Sequence, residues 1–126
     1  IIDTICETED CKAYIDPNLM ENTMINLIEN AIKYSKDSLV ITISCKLEDK
    51  RLLIRIKDNG NGISKQDLKH IFDIFSRGDR CEQIQGYGIG LYYVHQVVKA
   101  HQGKVDVLSE EGSGSEFVID IPNRFQ

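Results

Sequence analysis

The amino-acid sequence predicts an α+β fold, a two-layer α/β sandwich in which a mixed sheet of about five strands is covered on one face by about three helices. Apolar and polar residues alternate through residues 39–46 and 52–56, with the polar turn 48–50 between them, so these two strands form a hairpin. Segments with helical spacing are collected between strands and do not alternate strictly with them. A doubly wound fold is therefore excluded.

Three helices are predicted from apolar spacing and end signals. The first covers residues 17–35, because Asp16 can cap it and a proline occupies its first position. The second runs over residues 64–75, with a serine as its cap. The third covers residues 89–101, and Gly103 is well placed to stop it.

Shorter apolar patterns predict the remaining strands. Residues 105–107 mark a third strand, and residues 117–121 mark a fourth that ends at a proline. One more short strand is expected near residues 13–15. Residues 76–88, which carry charge and glycine without periodicity, are interpreted as a mobile loop.

Composition indicates one soluble globular domain over residues 1–126, because a chain of this length can enclose one core and 41% of its residues are hydrophobic. A net charge of −5 without a basic run argues against a nucleic-acid partner. No apolar stretch is long enough to span a bilayer. Four cysteines, Cys6, Cys11, Cys45 and Cys81, match no zinc spacing and are expected to be free thiols.

The first cluster with chemical potential lies on the first predicted helix. Asn26, Asn30 and Lys33 fall within about 60° of one another, and the apolar residues are expected on a different face. One cation and two amide oxygens could hold a metal-bound phosphate chain, since Mg²⁺ takes oxygen ligands when it bridges to phosphates. A solvated polar face is the alternative, and the helix alone leaves both open.

The second cluster is the loop Asp58-Asn59-Gly60-Asn61-Gly62-Ile63, directly after a predicted strand. A plain turn would explain its two Asn-Gly pairs. An acidic residue followed by spaced glycines also fits a pocket, because glycine lets a ligand approach the backbone closely. A buried Asp58 carboxylate could then accept a hydrogen bond from an exocyclic amine, which adenine has and guanine lacks at that edge.

The third cluster, Gly86-Tyr87-Gly88-Ile89-Gly90-Leu91, opens the last predicted helix. It is not a dinucleotide fingerprint, because no strand leads directly into it, and no Gly-Lys-Ser or Gly-Lys-Thr follows as in a P-loop. A glycine-rich turn at a helix N-terminus is nevertheless a ready site for an anionic phosphate.

In this order the clusters resemble the nucleotide-binding boxes of the sensor histidine kinase catalytic domain, which has the Bergerat fold of the gyrase, heat-shock chaperone and mismatch-repair ATPases. The resemblance extends over residues 16–122. Its parts are an asparagine box, two glycine boxes, a phenylalanine box and a last hairpin: residues 26–35, residues 58–63 and 86–91, residues 72–75 with Arg77-Gly78-Asp79, and residues 112–117.

The resemblance implies a role for each matched residue. Asn30 would bind Mg²⁺, Asn26 would support the phosphates or the metal, and Lys33 would reach the phosphates. Tyr34 would stack near adenine, whose amine would donate to Asp58. Gly60 and Gly62 would shape the pocket, Ser115 would assist Asp58, and Arg77 or Arg80 would contribute charge to the transferred phosphoryl group. Gly86, Gly88 and Gly90 would form the hinge of the lid. The matched boxes add further residues that would bind the nucleotide: Ile63, Tyr87, Ile89 and Leu91.

The resemblance also implies that ATP·Mg²⁺ donates its γ-phosphoryl group to a histidine. Hydrolysing relatives carry a glutamate one turn before the metal asparagine, where this chain has Asn26, and Glu29 points about 100° away from Asn30. The acceptor would lie on a separate dimerisation domain of the parent kinase, because His95 and His101 are better explained by packing. A response regulator receiver domain would then take the phosphoryl group on an aspartate.

Two alternatives stay open: the nucleotide-binding module of a degenerate kinase, and an anti-sigma-type serine kinase with the same boxes. Intact Asn30, Asp58 and lid glycines argue against degeneracy, and the phenylalanine box favours the histidine kinase. The lid between residues 75 and 86 looks short for the family, and the chain start leaves little room for the usual first strand. The domain is expected in the cytoplasm without membrane insertion of its own, whether or not its parent is anchored in the inner membrane.

Overall fold

The computed structural model describes residues 2–6, 15–33, 38–72 and 87–123. Its strands lie in the sheet order β1-β2-β3-β5-β4. The first pair is parallel and the others are antiparallel, so the predicted mixed sheet is confirmed. The elements are, in chain order, β1 (Ile2–Cys6), α1 (Pro17–Lys33), β2 (Ile41–Glu48), β3 (Arg51–Asp58), α2 (Lys65–Leu68), α3 (Tyr87–Ala100), β4 (Lys104–Glu110) and β5 (Gly114–Pro122).

The core lies between one face of this sheet and the helices, as a two-layer sandwich requires. Buried and partly exposed residues alternate along β3 and β5, which places every second side chain on the covered face. The helices α1 and α3 pack against each other and contribute Leu27, Val94 and Val98 to the same core. Among the described residues, no helix is long and apolar enough to cross a membrane.

Helix α1 begins where the sequence predicts. The carboxylate Oδ1 of Asp16 accepts a hydrogen bond from the N–H of Leu19 at 3.0 Å, and Pro17 is the first helical residue. The N–H of Asp16 donates to Nε2 of His101 at 3.0 Å, while Nδ1 of His101 lies 2.8 Å from the carbonyl oxygen of Val97. This bonding requires the neutral tautomer with hydrogen on Nδ1. His101 therefore joins the end of α3 to the start of α1, which confirms its packing role.

The prediction of a strand near residues 13–15 is wrong at Ile15, which belongs to no strand, while residues 13 and 14 lie outside the described residues. The first strand is β1, although the start of the chain was expected to leave little room for one. Its five residues pair with β2 from Ile2 opposite Ile41 onward. Apolar and polar residues do not alternate along its sequence, Ile-Asp-Thr-Ile-Cys, so apolar periodicity did not reveal it.

The second helix is shorter than predicted, and the third is displaced. The hydroxyl of Ser64 caps α2 as expected, accepting from the N–H of Asp67 at 3.1 Å, but the helix ends at Leu68 and turns follow as far as residue 72. Helix α3 starts two residues before the predicted position. The predicted loop 76–88 therefore ends earlier, and its residues 76–86 lie outside the described residues.

The end of α3 differs from the prediction in the part that glycine plays. The residue with left-handed backbone is Gln102, at a φ of 63°, and not Gly103. The N–H of Gly103 donates to Val98 and the N–H of Gln102 donates to Lys99, both at 2.9 Å, which forms a Schellman motif. Gly103 is required for space instead, because a methyl group there would lie 2.5 Å from the carbonyl oxygen of Asp120 in β5.

Candidate functional site

Strand register assembles a polar row at one end of the covered face. Asp58, the last residue of β3, pairs with Ser115 of β5, and Ser115 pairs with Ser109 of β4. Asp58 is 4% exposed and Ser115 is 6% exposed. Directly paired residues share a face of the sheet. Three side chains from distant parts of the sequence therefore meet at one point.

The hydroxyl group of Ser109 organises this row. It accepts a hydrogen bond from the N–H of Ile63 at 2.7 Å, and it lies 3.0 Å from the carbonyl oxygen of Gly114 and 2.8 Å from Oγ of Ser115. A hydroxyl has one hydrogen, so Ser109 donates to Gly114 and accepts from Ser115. Sequence reasoning missed Ser109, because a serine within a strand gives no signal until the register shows what it faces.

The Asp58 carboxylate is buried, but its hydrogen bonds to the protein do not use all of its acceptor positions. Its Oδ1 accepts a hydrogen bond from the N–H of Gly60 at 2.8 Å. Burial raises the pKa of Asp58 above its usual value, and hydrogen bonding by the N–H groups of Gly60 and Ser115 opposes that rise. A carboxylate has about four acceptor positions, so it can also accept from a donor on a ligand.

The glycines after Asp58 let this loop press against the β4–β5 hairpin. Gly62 has a φ of 76°, and a Cβ atom there would overlap the carbonyl oxygen of Glu110. The N–H of Gly112 donates to the carbonyl oxygen of Asn61 at 2.7 Å, which fixes the loop to the turn of the hairpin. Both contacts restrict the loop from the hairpin side.

The opposite side of the same loop is held by Asn59. Its Oδ1 accepts from the N–H of Val40 at 2.7 Å, and its Nδ2 donates to the carbonyl oxygen of Ser38 at 3.1 Å. The segment before β2 is thereby attached to the end of β3. The loop is therefore held by hydrogen bonds on both sides.

Asn30 is the second buried polar group of the site. It is 6% exposed, and its Oδ1 has no hydrogen-bond partner among the residues that the structure describes. Asn30 shares the buried side of α1 with Leu27 and Ala31, so the expectation of separate amide and apolar faces is wrong for this residue. A buried polar atom without a partner costs about 1–3 kcal/mol. A ligand that binds to this oxygen would remove that cost.

The other two members of the first cluster are less buried. Asn26 is partly exposed, and Lys33 is exposed in the last turn of α1. A methyl group at Gly90 would lie 3.4 Å from Oδ1 of Asn26, which is an ordinary van der Waals distance and shows that α3 passes close to α1 at this point. The first and third clusters of the sequence therefore meet where these helices pack.

The glycine-rich segment lies within the first turn of α3. Tyr87, Gly88, Ile89 and Gly90 are all helical, and Leu91 is buried at 3% exposure. The first N–H groups of a helix have no partner within it, which makes this turn suitable for an anion. Four predicted site residues lie outside the described residues: Tyr34, Arg77, Arg80 and Gly86.

Phe72 joins the phenylalanine box to the rest of the core. Its ring centroid lies 5.8 Å from that of His95 in α3 and 6.2 Å from that of Phe117 in β5, with the two phenylalanines edge to face. The packing role of His95 is thereby confirmed. The same ring contacts connect the segment after α2 to both layers of the sandwich.

Comparison with known proteins identifies the family to which this fold and site belong. Residues 15–124 match the family described as histidine kinase-, DNA gyrase B- and HSP90-like ATPase. The chain belongs to this family, and its ligand is accordingly ATP.

Individual relatives place the chain in the histidine kinase branch. Sensor protein RprX of Bacteroides fragilis is 36% identical over 113 residues, which cover 86% of this chain and 22% of RprX. Mycobacterial sensor histidine kinase MprB has a TM-score of 0.80 at 25% identity, covering 99% of this chain and 86% of that one. Full-length ShkA in complex with AMPPNP has a TM-score of 0.77 at 25% identity, covering 97% of this chain and 26% of ShkA. The chain is thus a kinase catalytic domain that spans about a fifth of the length of RprX.

The raised pKa of Asp58 predicts how stability changes with pH in the variant Asp58→Asn. Folding raises this pKa, so the folded chain binds the proton more tightly than the unfolded chain, and ionisation destabilises the fold as the pH rises. We expect the Tm of the variant to rise relative to that of the parent as the pH increases above the ordinary pKa of an aspartate, because only the parent then has to keep an ionised carboxylate buried. Thermal unfolding followed by circular dichroism measures both.

Asp106→Asn is the matched control, because Asp106 is an exposed carboxylate on β4. Its Tm difference from the parent should change little over the same range. A Tm difference between Asp58→Asn and the parent that does not vary with pH would contradict the raised pKa.

Proposed function

We propose that the chain binds ATP with Mg²⁺ and transfers the γ-phosphoryl group to a histidine on a separate domain of its parent sensor kinase. The parent would then relay that group to an aspartate of a response regulator receiver domain. The observation that carries the proposal is the buried amide oxygen Oδ1 of Asn30, which has no hydrogen-bond partner among the described residues, together with the buried carboxylate of Asp58. A family of ATPases needs one group for the base and another for the metal-bound phosphates, and these two residues have the matching chemistry.

Asp58 selects the base in this proposal. Its carboxylate accepts from the exocyclic amine of adenine, while Gly60, Gly62 and Ile63 form the adjoining wall and Ser115 holds the carboxylate in place. Guanine would present a carbonyl oxygen at that edge, so two acceptors would face each other. A buried polar site of this kind rejects a ligand that lacks the matching donor, because its own polar group stays unpaired.

Asn30 suits Mg²⁺, because this hard cation prefers oxygen ligands and the amide oxygen is buried without a partner among the described residues. The bound ion would neutralise charge on the triphosphate. Asn26 and Lys33 bind the phosphates from α1, and the first turn of α3 offers N–H groups from the other side. Tyr34 stacks on adenine, and Gly86, Gly88 and Gly90 form the hinge of the lid. Arg77 or Arg80 provides the cationic contact to the transferred group.

The polar residues of α1 favour transfer to protein over hydrolysis. Asn26 occupies the position of the hydrolytic glutamate in other branches of the family, and an amide cannot take a proton from water. Both carboxylates of the helix, Glu21 and Glu29, are exposed, whereas Asn30 is buried. Phosphoryl transfer depends mainly on positioning and charge neutralisation. An incoming imidazole supplies its own nucleophilic nitrogen, so the chain needs no strong base.

The share of RprX that this chain spans supports a place within a longer sensor kinase, of which residues 1–126 form the catalytic domain. We infer that the domain works in the cytoplasm, where ATP is available. The parent would supply both the acceptor histidine and the signal input.

Nucleotide preference tests the role of Asp58. We expect the chain to bind ATP at least about 100-fold more tightly than GTP, and Asp58→Asn to weaken ATP binding by about 10- to 100-fold, as for one lost hydrogen bond to a charged group. Isothermal calorimetry with both nucleotides measures this, and Asp106→Asn serves as the exposed-carboxylate control. Equal affinities of the parent chain for ATP and GTP would rule out adenine recognition by Asp58.

Magnesium dependence tests the role of Asn30. Asn30→Ala should weaken ATP binding in Mg²⁺ by about 10- to 100-fold and leave the weaker binding in a chelator nearly unchanged. Asn22→Ala, an exposed amide on the same helix, is the control and should alter neither value. If Asn30→Ala causes the same loss with and without Mg²⁺, the residue acts on the nucleotide or the fold and not through the metal.

The acceptor experiment tests the reaction itself. Radiolabelled ATP should not label the isolated chain, but it should label the parent kinase's phosphoacceptor domain when the two are mixed. The label should be lost in acid and retained in base, because a phosphohistidine has that lability. An acid-stable product would indicate a serine kinase, and release of free phosphate at the same rate without the acceptor would indicate a hydrolase.

A further inference from the structure

The hydroxyl group of Ser109 uses its hydrogen and both of its lone pairs. It accepts from the N–H of Ile63 at 2.7 Å, and it lies 3.0 Å from the carbonyl oxygen of Gly114 and 2.8 Å from Oγ of Ser115. A carbonyl oxygen cannot donate, so the hydrogen of Ser109 points to Gly114 and the hydrogen between the two serines comes from Ser115. Reversing the bond between the serines would leave the oxygen atoms of Ser109 and Gly114 in contact without a hydrogen between them. Ser109 therefore fixes the direction of the Ser115 hydroxyl.

We propose that Ser109 is a positioning residue that sets the preference of the site for adenine by fixing the hydroxyl hydrogen of Ser115. Ser115 pairs directly with Asp58 and shares its face of the sheet. Because its one hydrogen is held by Ser109, Ser115 presents only lone pairs to a base beside Asp58. Both side chains at this point are then acceptors, which suits the two hydrogens of an exocyclic amine and opposes a carbonyl oxygen.

Burial gives this fixed direction its effect on the choice of base. Asp58 is 4% exposed and Ser115 is 6% exposed, so water has little access to supply a missing donor. A serine whose hydroxyl rotates freely can donate or accept as its ligand requires, and it would tolerate either an amine or a carbonyl group. Ser109 removes that tolerance. The contact then discriminates by opposing the wrong base as well as by binding the right one.

The inference rests on the proposed function, because it requires that the base lies against Asp58. Inosine triphosphate is the matched probe for it. Its base carries a carbonyl oxygen where adenine carries the amine, and it lacks the additional amine of guanine. Isothermal calorimetry of the full chain in Mg²⁺ measures the affinities for ATP and for inosine triphosphate. We expect the unsubstituted chain to prefer ATP by at least about 10-fold.

Ser109→Ala releases the Ser115 hydroxyl, which can then donate to the carbonyl oxygen of inosine. We expect the ratio of ATP affinity to inosine triphosphate affinity to fall by about 3- to 10-fold, as for one neutral hydrogen bond. Ser109→Thr keeps a hydroxyl at this position and should retain the ratio of the unsubstituted chain. Ser113→Ala, an exposed serine in the turn of the same hairpin, is the control and should also retain it. If Ser109→Ala weakens both nucleotides equally, Ser109 only supports the fold and the proposal is overturned.

Ser115→Ala removes the same hydroxyl while Ser109 keeps its hydrogen bonds to Ile63 and Gly114. It should weaken ATP by about 3- to 10-fold and leave inosine triphosphate no weaker, because only the amine loses a partner. In the double variant Ser109→Ala, Ser115→Ala the affinity ratio should equal that of Ser115→Ala alone, since the hydroxyl through which Ser109 acts is gone. An equal loss for both nucleotides in Ser115→Ala, or additive effects on the ratio in the double variant, would overturn the proposal.

The same titrations separate this inference from the proposed function. If the unsubstituted chain binds both nucleotides equally well, adenine recognition by Asp58 fails and the role of Ser109 fails with it. If that chain prefers ATP and Ser109→Ala keeps the full preference, only the role of Ser109 fails. Thermal unfolding shows which variants are folded, and Ser115→Ala decides alone if Ser109→Ala is not.

Discussion

Burial of one carboxylate at the end of β3 is the constraint on which the site depends. An ionised group away from water is unfavourable unless hydrogen bonds compensate it, and Asp58 receives them from the backbone of its own loop and of β5. Those donors keep their positions only while the loop stays pressed against the hairpin, which Gly62 permits. The register of β3, β4 and β5 thus positions the Asp58 carboxylate. The loop contacts at Gly62 and Gly112 and the hydrogen bonds of Ser109 support the same carboxylate.

Asn30 is likewise a buried polar group, on the helical layer, but its amide oxygen has no hydrogen-bond partner among the described residues. A domain of this size has a stability of about 5–15 kcal/mol, so an unpartnered buried amide oxygen is a sizeable cost. The domain without ligand therefore has two buried polar groups, one on each layer, whose hydrogen bonding a ligand would complete. Binding and stability are linked in such a domain, because whatever satisfies both groups binds only the folded chain.

Much of this fold follows from local rules. The cap at Asp16, the β2–β3 hairpin and the strand-end position of Asp58 depend on residues close in sequence, so periodicity and end signals were sufficient to predict them. Ser109, the burial of Asn30 and the identity of the left-handed residue at Gln102 depend on register or on packing between layers. A glycine beside a helix end can be required either for space or for backbone freedom. Only the neighbouring strand shows that Gly103 is required for space.

The parallel pairing of β1 has a consequence for the order of assembly. The antiparallel pairs β2–β3 and β4–β5 are joined by short turns and can close within microseconds, whereas β1 reaches β2 only after α1 has been traversed. Closing that longer loop costs about 3 kcal/mol of chain entropy. We expect the hairpins to form early and β1 to dock last. By the same reasoning, fluctuations of the native domain should release this edge strand while the antiparallel sheet stays intact.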